Sequence, residues 1–153
     1  MSDYEYLIHT TDLCKSYGPH MALENLNLKV KKGATGLLGP NGAGKSTFLK
    51  TMLGLIQATS GEGQVLGHDI RTEGPAIRSR IGYMPEYDAL NPEMEAIYQV
   101  KYSGELLGMN PTVAMSRAHE VLQYVGLGEQ RYREIGGFST GMKQATKLAC
   151  SII

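Results

Sequence analysis

No stretch of this 153-residue chain approaches the roughly 20 apolar residues needed to cross a bilayer, which excludes an α-helical membrane span. Neither sign of charge is in excess. Fifteen basic and fifteen acidic residues balance, so nothing in the total points to a basic nucleic-acid surface. Cysteine is scarce: Cys14 and Cys150 lie far apart without metal-ligand spacing, and they read as reduced thiols of a cytoplasmic protein. The four histidines (His9, His20, His68 and His119) form no cluster. The N-terminal Met1-Ser2-Asp3-Tyr4-Glu5 is acidic and has no signal-peptide apolar region. There is no internal repeat and no low-complexity linker. Apolar content of 42% is what one globular domain of this length needs for a core.

What is present is glycine, and its placement carries chemistry. Gly39-Pro40-Asn41-Gly42-Ala43-Gly44-Lys45-Ser46 fits the pattern G-x-x-x-x-G-K-[ST] without substitution. Such a loop wraps its backbone N–H groups around phosphate oxygens where a Cβ would obstruct the turn. The following helix start adds its positive end. In that geometry Lys45 reaches β- and γ-phosphates and Ser46 can ligate Mg²⁺. The flanks agree with the motif. Ala34-Thr35-Gly36-Leu37-Leu38 reads as a short buried strand, and residues 47–53 read as a helix with Phe48, Leu49, Met52 and Leu53 on one face.

Further along, residues 25–30 alternate with period two and predict a half-buried strand. Residues 58–63 read as a loop and 64–66 as a short strand. Residues 80–84 read as a strand ended by Pro85. From Asn91 the pattern becomes helical. Asn91-Pro92-Glu93 has the residue types of a helix start, and Gly108 stops that helix. Asn110-Pro111 starts another, which Gly126 ends. Phe138-Ser139-Thr140-Gly141-Met142 then offers a Ser cap, followed by Met142, Ala145, Leu148, Ala149 and Ile152 at helical spacing. The last helix stops on an apolar face without a terminating residue, which leads us to expect a portion of a longer protein.

Taken together, these motifs resemble the ATP-binding subunit of an ABC transporter over nearly the whole chain. Leu13 to Gly18 is similar to the family's opening segment, with Tyr17 at the aromatic that stacks on adenine. Gly39 to Thr47 matches the Walker A loop: Gly39, Pro40, Asn41, Gly42, Ala43, Gly44, Lys45, Ser46 and Thr47. Ile81 to Glu86 lies at the Q-loop, with Glu86 in place of the usual Gln. Ser139, Thr140, Gly141 and Met142 lie in the signature, usually L-S-G-G-Q.

The resemblance implies an α/β fold, with a P-loop NTPase (RecA-like) core, an antiparallel β subdomain and a helical subdomain. It also implies truncation before the Walker B strand. The expected division is 1–90 for the α/β nucleotide-binding part, 91–138 for the helical subdomain and 139–153 for the signature helix. It implies ATP and Mg²⁺ as cofactors, with Ser46 and Glu86 toward the metal. It implies a transmembrane permease and a second, head-to-tail ATP-binding subunit as partners, without nucleic acid. The place would be the cytoplasm, peripheral on the inner face of the membrane. The flavour of residues 36–41 and 139–144 is similar to exporter-type bacterial ATPases. No catalytic residue is identifiable, because the Walker B acid and switch histidine have no counterparts. The open alternatives are a non-hydrolysing nucleotide-binding remnant and a soluble ABC ATPase acting on ribosomes or DNA.

Overall fold

The computed structural model describes residues 5–87 and 89–153. The reading of residues 1–4 lies outside them. The chain divides into two compact units, Met1–Ile81 and Gly82–Ile153.

The first unit is built on a four-stranded antiparallel sheet ordered β2-β1-β3-β4. Strand β1 (Ile8–Tyr17) and β2 (His20–Val30) form a hairpin whose register runs from Tyr17↔His20 to Ile8↔Val30. Gly18 turns the corner with φ +57°. The ladder is interrupted where Asp12 (φ 47°) and Asn25 (φ 43°) enter the left-handed region, one that short polar side chains tolerate. Asn27 bridges the irregularity. Its amide nitrogen donates to the Asp12 carboxylate at 2.9 Å, and its amide oxygen accepts from the Asp12 N–H at 3.0 Å.

Helix α1 (Lys45–Met52) follows the glycine loop. Strands β3 (Ser60–Val65) and β4 (His68–Asp69) complete the sheet, and the short helix α2 (Gly74–Arg78) closes the unit. Leu13, Leu23, Phe48, Met52, Val65, Ile70 and Ile77 form its core. Leu49, expected on the same helix face as Phe48 and Met52, is exposed.

Three expectations for this part of the chain are corrected. Residues 60–63, read as a loop, are the first four of the six residues of β3. They hold Gly61 and Gly63, whose missing side chains admit neighbours: a Cβ on Gly61 would lie 2.1 Å from the Asp12 carbonyl oxygen. Residues 34–38 and 80–84 form no strand. A buried parallel strand needs a neighbour for its N–H and C=O groups, and among the described residues none pairs with either segment. Leu38 is accordingly 94% exposed. The hairpin arm β1 escaped sequence reading because its apolar residues do not alternate across the irregularity.

The second unit is helical. Helices α3 (Ala96–Leu106), α4 (Pro111–Tyr124) and α5 (Thr140–Ile152) pack around Ile97, Val100, Ala118, Val121, Leu122, Leu127, Ile135, Phe138 and Ala149. Two 3₁₀ turns, Gly128–Tyr132 and Ile135–Gly137, join α4 to α5. Asn110 caps α4, its side chain accepting from the Thr112 N–H at 3.0 Å. Gly108 (φ 89°) and Gly126 (φ 82°) follow the ends of α3 and α4 as expected.

Asn91-Pro92 does not start α3, which begins at Ala96. The backbone of 92–96 is spent instead on residues 133–136. Gly136 N–H donates to Pro92 O, Ile135 N–H to Met94 O, and Ala96 N–H to Arg133 O. Asn91 closes a local turn by accepting from the Glu93 N–H, and its own N–H donates to the buried Gln99 side chain.

Two outcomes test this packing. Leu122→Ala removes a fully buried side chain and is expected to cost about 2–5 kcal/mol in denaturant unfolding. Asp69 accepts from the N–H groups of Arg71 and Thr72 and from the Thr72 hydroxyl, and the Arg71 N–H foremost holds its carboxyl below the usual range. A depressed folded pKa contributes stability that is full above the unfolded value and lost as pH falls through the folded one. Asp69→Ala therefore reduces the melting temperature near neutral pH and leaves that difference vanishing under acid, as followed by circular dichroism.

Candidate nucleotide site

The glycine loop enters α1 without a side-chain cap. Gly44 sits at the N-cap in the left-handed conformation (φ 82°), and no side chain bonds the helix start. Its N–H groups are therefore left to whatever occupies the loop. Gly42 is also left-handed (φ 84°), and the Ala43 N–H closes a turn on Pro40 O at 3.2 Å.

Gly44 carries a second constraint. A Cβ there would stand 2.3 Å from the Ala22 carbonyl oxygen and 3.0 Å from a Leu23 methyl. Strand β2 thus lies directly against the loop's last glycine. Ser16 pairs with Met21 and Tyr17 with His20, so Tyr17 lies at the turn end of the same hairpin, beyond Ala22. Tyr17 is 48% exposed, with the Lys15 ammonium 4.9 Å from its ring centroid.

Lys45 folds back over the loop. Its Nζ donates to Gly39 O and Pro40 O, both at 2.7 Å. These are neutral acceptors, and phosphate oxygens would replace them with stronger charge-assisted bonds. Residues 39–43 are all exposed, as is Ser46 at the first turn of α1. A hydroxyl oxygen beside bound phosphates is the hard-donor setting that suits Mg²⁺, which keeps most of its other ligands from phosphate and water. Thr47 is half-buried, and its carbonyl accepts from the Thr51 hydroxyl at 2.8 Å.

The remaining predicted residues belong to the second unit. Ser139 is the N-cap of α5: its Oγ accepts from the Met142 N–H at 3.3 Å, and its carbonyl accepts from the Lys143 N–H at 3.0 Å. The hydroxyl hydrogen remains available to a phosphate. Buried Phe138 pins the turn, while Thr140 and Gly141 are exposed beside it and Met142 is half-buried. Glu86 is exposed, and its carbonyl accepts from the Lys147 ammonium at 3.3 Å. Of the two residues expected toward the metal, Ser46 is on the first unit and Glu86 on the second. Lys147 itself was missed. In sequence it shares a helix face with Lys143, Gln144 and Ser151, so its burial has no local signal.

The first unit thus sets a glycine-rich loop against an antiparallel hairpin, and the second carries a helix capped by Ser139. Residues 23–153 match the ABC transporter family model, and the chain belongs to that family. It is 38% identical over 148 residues to the uncharacterized ABC transporter ATP-binding protein YxlF of Bacillus subtilis, covering 96% of this chain and 48% of that one. It is 32% identical over 148 residues to the Nod factor export ATP-binding protein I of Cupriavidus metallidurans, covering 96% and 49%. The ATP-binding subunit of an ABC transporter superimposes with a TM-score of 0.77 at 27% identity, covering 95% of this chain and 61% of that structure. The chain thus spans about half the length of the curated relatives it matches.

Gly44→Ala brings together a strained backbone and a collision with Ala22. It is expected to abolish binding of a fluorescent ATP analogue, read by titration, because neither partner of the clash is a movable side-chain tip.

Proposed function

We propose that this chain is the nucleotide-binding part of an ABC transporter ATPase that couples ATP binding and hydrolysis to export through a membrane permease. The observation that carries the reading is the loop at Gly39–Ser46: an uncapped helix start, two left-handed glycines and an ammonium parked on the loop's own carbonyls. In this reading Tyr17 stacks on the adenine. The N–H groups of the loop and of α1 surround the phosphates. Lys45 exchanges Gly39 O and Pro40 O for β- and γ-phosphate oxygens. Ser46 would hold Mg²⁺, which when bound neutralises phosphate charge. Ser139 and the exposed amides at the start of α5 face the γ-phosphate of a second, head-to-tail subunit. Loss of that phosphate then loosens the pair.

Export is supported by the relative from Cupriavidus metallidurans, which is named for it. The complex would sit on the cytoplasmic face of the membrane, held there by the permease. Among the described residues no helix is long and apolar enough to cross a membrane.

Lys45→Ala in the full chain tests the reading. Losing two charge-assisted bonds is expected to weaken ATP binding by roughly tenfold to a hundredfold, measured by isothermal titration. An affinity unchanged by the substitution would overturn it.

A further inference from the structure

Lys147 is 4% exposed in the flank of an amphipathic helix. Burying an ammonium is costly unless its donors are satisfied, and packing alone is served as well by an apolar residue of similar volume. Its Nζ donates to Pro85 O at 3.2 Å and to Glu86 O at 3.3 Å. One helical turn further on, the Ser151 carbonyl lies so close to Gly82 that a Cβ there would stand 2.1 Å from it. Positions 147 and 151 therefore seat residues 82–86 at both ends. That segment has no strand or helix hydrogen bonding of its own, so α5 supplies the reference that places it.

We propose that Lys147 is a positioning residue that fixes Glu86 to the helix whose first turn is the signature. Two helical turns, about 12 Å, separate Ser139 from Lys147, so any displacement of the α5 N-terminus moves Glu86 with it. The assignment deepens the nucleotide reading and rests on it only for what Glu86 does once placed.

The test is native-state cleavage by a Glu-specific protease in the full chain, with fragments identified by mass spectrometry. Lys147→Met is expected to speed the cut between Glu86 and Tyr87 about tenfold through local opening, while the cut after exposed Glu129 keeps its rate. Lys147→Arg, which can still donate, keeps the wild-type rate. If Lys147→Met loses the fold, Lys147→Gln gives the same comparison. An unchanged rate at Glu86, or parallel acceleration at both sites, overturns the proposal.

ATP binding indifferent to Lys45→Ala would overturn the nucleotide reading, leaving the cleavage result to stand.

Discussion

The close approach of the Ala22 carbonyl to Gly44 is the constraint on which the first unit depends. No side chain fits between the hairpin and the loop, so the residue must be glycine, and its left-handed backbone then starts α1 without a cap. One contact therefore does two things: it docks β2 on the loop and leaves the helix start without a side-chain cap. Phe48 and Met52, buried one and two turns along α1, anchor the helix from the other direction.

The second unit handles its helix starts differently. Asn110 and Ser139 each satisfy an N–H of their own helix, and those caps fix where α4 and α5 begin. At Ser139 the cap and the expected ligand contact coexist, because a hydroxyl accepts from the backbone through oxygen and still has a hydrogen to donate. Phe138 makes that turn rigid by burial just before it. α5 also carries Lys147 on one flank, so a single helix bears both the signature turn and the support of residues 82–86.

Local signals were legible wherever the deciding interaction lies within a few residues. The phosphate loop, the caps at Asn110 and Ser139 and the stops at Gly108 and Gly126 are of this kind, since each depends on a side chain or backbone angle beside it. Asn91-Pro92 carries the same residue types as Asn110-Pro111, yet only the second starts a helix. The difference comes from residues 133–136, some forty positions away, which take up the backbone groups of 92–96. Strand β1 was hidden for a related reason. Its positive-φ residue and ladder shifts break the alternation that reveals a strand.

By itself the sequence determined the glycine loop with its left-handed turns, the lysine and hydroxyl beside it, and a capped serine turn, in a chain that belongs to the ABC family. These follow from residue type and short spacing, because glycine freedom and hydrogen-bond capacity are local properties. Tertiary structure decided which apolar segments became strands, where α3 begins, and that a lysine could be buried. Strand pairing and desolvation depend on partners distant in sequence. Leu37 and Leu38 have strand-like sequence without a paired neighbour, while Lys147 is accommodated by the carbonyls of Pro85 and Glu86.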